Sequence, residues 1–174
     1  SFFHSRGKAA NAIGREQQRL EDLRTALQYA EKAGTVPSKL WGDLAWPEEN
    51  HANHRTAIRY MRLRANAEPN NYSASGNLAR LYAYTGDIES AEKEKRTTLT
   101  LIANSSSNSP WKRMTMPMVE YDILRAQGRY AEAEPFIRRS IEIFVSAGLV
   151  RTHPGSIDWR RSHLARNLSN QGRF

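Results

Sequence analysis

His51 and His54 are the first residues whose type and spacing could do chemistry: three apart, they can share a helix face and offer two imidazole nitrogens to one metal ion. No third ligand stands at a workable spacing, so the pair reads as polar helix surface, and no metal or other cofactor is expected. Paired carboxylates come next, because an acid and a base placed on opposite sides of a bond can cleave it. Glu48 with Glu49, and Glu132 with Glu134, lie along helix faces or turns and do not flank anything. The chain has no cysteine, which removes thiolate zinc sites, disulfides and cysteine nucleophiles together. A serine–histidine–carboxylate triad, a phosphate loop and a dinucleotide fingerprint are all missing. No catalytic residue is assigned, and the chain is read as non-enzymatic. Asn71-Tyr72-Ser73 and Asn104-Ser105-Ser106 fit the glycosylation pattern, which is short enough to arise by chance and is given no role.

The 174 residues carry 26 Lys+Arg against 18 Asp+Glu, a net charge of +8, which points toward an anionic partner without naming one. Hydrophobic residues make up 39% and aromatics 9% of the chain, with a mean hydropathy of −0.72. That is too apolar for a disordered chain and lean for one round core. No window approaches the roughly 18 apolar residues of a membrane helix, so no membrane partner is expected. The cytoplasm is the favoured compartment, with export of a larger parent left open. The chain opens on Ser1 and stops at Gly172-Arg173-Phe174 inside a recurring pattern, so it is expected to be a fragment of a longer protein.

Apolar residues recur at three- and four-residue spacing and nowhere alternate, which predicts an all-helical fold. The expected helices are Ala9 to Ala33, with Ala12, Ile13, Leu20, Leu23, Leu27 and Ala30 on one face, then Arg55 to Ala67, Ser73 to Tyr84 and Ile88 to Ile102. Met116 to Ala126 and Tyr130 to Ala147 follow, paired across Gly128-Arg129 as the previous two are across Gly86-Asp87. The polar run from Asn104 to Pro110 reads as a plain loop.

Aligning the hairpins on their turn glycines exposes a repeat. Gly86, Gly128 and Gly172 are spaced 42 and 44 residues apart. Leu78-Ala79, Tyr82, the turn glycine and Ala91 follow an order in which a small residue lets two helices approach and larger ones plug the gap. The stretch Gly128-Arg129-Tyr130-Ala131-Glu132-Ala133-Glu134-Pro135 is the most specific motif, and Gln171-Gly172-Arg173-Phe174 restates its opening after Leu164-Ala165 and Leu168. Earlier, Trp41, Leu44-Ala45, Ala57 and Pro69 occupy the same order, with Ala52 at the turn-glycine place and Pro47 as departures. Phe3, Gly7, Ala10, Gly14, Ala26 and Leu27 suggest a degenerate earlier unit.

These residues resemble the tetratricopeptide repeat, in the longer variety of kinesin light chains and of bacterial arrays that accompany CHAT or other effector domains. The resemblance implies an all-α, right-handed superhelical stack of antiparallel hairpins. Its expected parts are an N-terminal helical segment over 1–37, repeats over 38–71, 72–113 and 114–157, and the first helix of a further repeat over 158–174. It also implies a protein-interaction scaffold in a larger bacterial protein, with any catalysis lying elsewhere.

In that family the first helix of each hairpin lines a groove that binds a peptide or a partner helix. Carried over, the groove residues are Ser73, Asn77, Arg80 and Tyr84, then Asp122 and Arg125, then Trp159, His163, Arg166 and Asn170. Gly76, Ala83, Thr115, Met118 and Ser162 fall on the same faces. Asn77 can grip a peptide backbone through both donor and acceptor. Arg80, Arg125 and Arg166 favour an acidic peptide or a carboxylate. Asp43 and Val119 stand where a full carboxylate clamp would want cooperating polar groups. The alternative function is RNA binding through the basic surface, which the scattered charge disfavours, since the densest run, Arg59 to Arg64, sits on a return helix. The apolar residues of 164–174 predict self-association.

Overall fold

The computed structural model describes residues 2–173, without the side chain of Ala12. The described residues form helices and no strands. In chain order they are α1 (Phe2–Ala12), α2 (Glu16–Lys32), α3 (Ser38–Asn50), α4 (His54–Ala67), α5 (Tyr72–Tyr84), α6 (Ile88–Asn104), α7 (Pro110–Ala126), α8 (Tyr130–Ser146) and α9 (Pro154–Asn170). The chain divides into two compact units, Ser1–Pro69 and Asn70–Phe174. None of the described helices is long and apolar enough to cross a membrane.

The single helix expected over Ala9 to Ala33 is instead two, and the apolar face drawn through Ile13 breaks there. Gly14 takes the left-handed conformation at φ 71°, Gly14 N donates to Asn11 O and Arg15 N to Ala10 O, and the chain doubles back. Ile13 is accordingly exposed. Gly86, Gly128 and Gly172 close their turns in the same way, with φ between 70° and 78°. At the equivalent place in the α3–α4 turn stands Ala52, which adopts φ 59° and the same pair of bonds, its own N–H to Glu49 O and Asn53 N to Glu48 O. Pro47 does not end α3 either: it is buried in the last turn, and its carbonyl accepts from His51 N at 3.2 Å.

In the first unit Leu20, Leu23, Ala26, Leu27, Leu40 and Leu44 form one core between the α1–α2 and α3–α4 hairpins, edged by Phe3, Trp41 and Tyr60. Each leucine buried this fully contributes about 1.5–3 kcal/mol. Arg24 clamps the buried Glu48 with two bonds of 2.8 and 2.7 Å, and Asn53 adds a third at 2.8 Å.

In the second unit the signature residues Leu78, Ala79, Tyr82 and Ala91 are buried. Side-chain caps set the helix starts. Asn71 accepts from Ser73 and Ala74 at the head of α5, and Asp87 accepts from Ser90 at the head of α6. Helix α7 begins at Pro110, earlier than the expected Met116, because Ser109 accepts from Trp111 N and proline suits the first helical position. Two apolar groups then hold α7, α8 and α9: Met118, Tyr121, Leu124, Ala133 and Ile137, and Met114, Ile143, Phe144 and Ile157.

Candidate functional site

The second unit brings side chains of three first helices, α5, α7 and α9, onto one face. Arg80 of α5 and Asp122 of α7 stand at matching places in successive hairpins, 42 residues apart, and Arg80 Nε donates to Asp122 Oδ2 at 2.6 Å. The Asp122 side chain is fully buried and that of Arg80 is 13% exposed. Burial works against the Arg80 charge, but the attraction of Asp122 outweighs it and holds the guanidinium above its ordinary value. Burial pushes the Asp122 carboxyl up, while Arg80 and then Arg125 pull it back.

Other groups converge on this pair. Arg80 Nη2 donates to the Tyr84 hydroxyl at 3.3 Å and Nη1 to Asn77 Oδ1 at 3.5 Å. Its guanidinium also lies 5.3 Å from the Trp159 ring centre, while Arg125 covers the Tyr84 ring at 5.1 Å. Burial raises the Tyr84 phenol above its ordinary range. Trp159 packs on His163 with ring centres 4.0 Å apart. Burial, with Arg125, Arg80 and Arg166 nearby, drives the His163 imidazole down to about 3, so it stays neutral. Asp122 Oδ1, Arg125 Nε and His163 Nδ1 are buried without a hydrogen-bond partner.

Of the residues carried over from the family pattern, Asn77, Arg80, Tyr84, Asp122, Arg125, Trp159 and His163 therefore come together. Asp122 lies beneath the face, held by Arg80. Arg166 is exposed one turn beyond His163, Asn170 is exposed at the end of α9, and Ser73 sits in the first turn of α5. His51 and His54 serve local contacts, His51 Nδ1 at 2.8 Å from Pro47 O and His54 Nδ1 at 2.6 Å from Glu49. Among the described residues no group of three or more acidic or histidine side chains could hold a metal ion.

Two participants escape a reading of the sequence. Tyr121, fully buried, donates from its hydroxyl to the His163 carbonyl at 3.0 Å, and burial pushes its phenol up to about 12. It stands at the register place that Ala45, Ala79 and Ala165 occupy before their own turns, so the signal was a large residue in a small residue's column. Arg160 is buried against the Phe144 ring at 4.7 Å and bonds Ser140 and its own Ser156 carbonyl. Burial, with Arg80 nearby, lowers it to about 10.

Solved structures share this arrangement of hairpins over nearly the whole chain. A kinesin-light-chain-like protein of Podosopora anserina, built from nearly identical TPR-like repeats, matches with a TM-score of 0.58 at 18% identity, covering 98% of this chain and 85% of that one. A single-residue variant of it matches at 0.56 with the same identity and coverage. The fold is a TPR-like helical repeat. MamA of MSR-1 gives a TM-score of 0.52 at 12% identity, over 98% of this chain and 95% of that one. No protein-family model matches the chain, and no curated protein does. TPR-like repeats generally serve as protein-interaction scaffolds and are generally non-catalytic.

Proposed function

We propose that this protein is a non-catalytic interaction module that binds a peptide segment of a partner protein along the face shared by α5, α7 and α9. One observation carries the reading: Arg80, Tyr84, Arg125, Trp159 and His163 come from three separate helices, yet they form one cluster in which each guanidinium covers an aromatic ring. Tryptophan, tyrosine and arginine are the side chains most enriched among binding anchors, the aromatics because they present large contact area at low entropic cost. Asn77, half-buried beside Arg80, supplies an amide for the peptide backbone.

Selection of peptides from a random displayed library against the full chain tests this. Selected peptides should bind the wild type in fluorescence anisotropy and lose about tenfold or more in affinity to the Asn77→Ala/Trp159→Ala variant, one such factor being about 1.4 kcal/mol. Exposed Arg139→Ala on α8 is the control and should change nothing. Peptides that bind all three proteins equally, or a library that yields no binder, would overturn the reading. A single-stranded RNA that binds with steep salt dependence and ignores the double substitution would move function to the basic surface.

A further inference from the structure

Helix α4 of the first unit holds Arg55, Arg59, Arg62 and Arg64 beside His54, and not one acidic residue. Arg64 turns inward against Gly42 of α3 and pairs with Glu68. The other three arginines are exposed. Spaced by four and then three residues, they fall within about 60° of one another around the helix axis and form a line about 10 Å long. Ile58 flanks this line on one side and Leu63 on the other, each half-buried.

The acids around α4 are spent elsewhere. Glu48 is held by Arg24 and Asn53, Glu49 by His54, and Glu68 by Ser38 and Arg64. Arg55 and Arg59 form no ion pair among the described residues, and the Arg59 guanidinium lies 6.0 Å from the Tyr60 ring centre. Tyr60 itself packs on the core that α2 shares with α3. Burial raises its phenol, with Glu48 and Glu31 adding to the rise and Arg59 and Arg24 opposing it. Exposed Glu31 of α2 thus stands near the same tyrosine as Arg59.

These surroundings select among anionic partners. A phosphate backbone is negative along its whole length, so Glu31 repels it beside α4. Single-stranded RNA also gains much of its affinity from rings on which its bases stack, whereas the one aromatic of α4 is packed on the core. A helix meets neither objection. It can carry carboxylates only opposite the arginines, its rise and twist repeat their spacing, and its flanks can cover Ile58 and Leu63. We infer that the exposed face of α4 is a second docking surface, which takes a helix of a partner protein bearing carboxylates at four- and three-residue spacing. Guanidinium forks match carboxylates with two parallel N–H···O bonds. Each such exposed pair adds little alone, so selectivity comes from several pairs in register, and charge steers the encounter. This surface is independent of the face shared by α5, α7 and α9.

The test is fluorescence anisotropy on the full chain with labelled alanine-based helical peptides of about 20 residues. One carries glutamates at i, i+4 and i+7, a second carries glutamines there, and a third has the same glutamates distributed around the helix. The first should bind about threefold or more tightly than either of the others. Arg55→Gln/Arg59→Gln should erase that preference, and Arg55→Glu/Arg59→Glu should transfer it to a peptide with lysines in place of the glutamates. Arg138→Gln/Arg139→Gln, which removes the same charge from α8, should leave it intact, as should Asn77→Ala/Trp159→Ala. Equal binding of the glutamate and glutamine peptides, indifference to glutamate spacing, or a preference that survives Arg55→Gln/Arg59→Gln would each overturn the inference. So would oligo-uridylate that displaces the glutamate helix and itself requires Arg55 and Arg59, since the line would then serve nucleic acid.

Discussion

Arg80 and Asp122 form a charge pair with little access to water, and its energetics differ from those of the surface pairs along α8. Removing one partner leaves the other charge buried and uncompensated, which costs about 3–5 kcal/mol, whereas replacing both with apolar groups is close to neutral. Arg80→Met should therefore destabilise by about that amount in urea unfolding, and Arg80→Met/Asp122→Leu should recover most of it. An exposed pair such as Arg139 with Glu142 should show almost no coupling in the same cycle. His163 gives a second expectation. Its folded value near 3 lies below the unfolded value of about 6.5, so between those limits the unfolded chain binds the extra proton. Its contribution is fully present above pH 6.5 and is lost as pH falls toward 3, with a slope of up to about 1.4 kcal/mol per pH unit. His163→Gln should flatten that slope in unfolding measured across pH 4 to 7.

At the scale of elements, turn chemistry and close helix approach decide the structure. Ala52 holds a left-handed conformation that glycine adopts without steric cost, so Ala52→Gly should raise stability by up to about 1 kcal/mol, a gain visible as a higher urea midpoint. The opposite holds at Gly76, where an added Cβ would come within 2.7 Å of Thr115 Cγ2 between α5 and α7. A β-branched side chain on a helix has little room to move, so Gly76→Ala should cost about 1–3 kcal/mol. Adding Thr115→Ser, which deletes the contacted methyl, should return part of that loss. The same turn logic explains the division between α1 and α2. Ile13 matches the apolar period of a continuous helix, but a left-handed glycine directly after it closes a turn, and local backbone geometry outweighs hydrophobic period.

At the scale of the whole molecule, each unit owns its core. Leu20, Leu23, Leu27, Leu40 and Leu44 pack together, while Tyr121, Ile137, Phe144 and Ile157 belong to clusters formed by α7, α8, α9 and the segment joining α8 to α9. Repeat stacks draw stability from each unit and its nearest neighbours. A fragment of residues 70–174 should therefore keep a cooperative thermal transition by circular dichroism and retain the affinity of the full chain for selected peptides. Loss of either property would show that the first unit contributes to the second unit's core or binding face.

Local rules written into the sequence determined the helical class, the hairpin order and the turns at Gly86 and Gly128, because periodicity, glycine and caps act over a few residues. Register before the turns also placed Asn77, Arg80, Asp122, Arg125, Trp159 and His163 on the first helices of their hairpins. Tertiary structure alone decided how those side chains are spent. Whether an arginine is free or committed depends on which carboxylate a neighbouring hairpin delivers and on how much water remains around it. Arg80 and Arg166 are alike in register, yet of the two it is Arg80 that meets Asp122. Tyr121, set in a column of small residues, reaches the next first helix for the same reason: contacts between hairpins join residues 42 positions apart, a separation at which no local pattern operates.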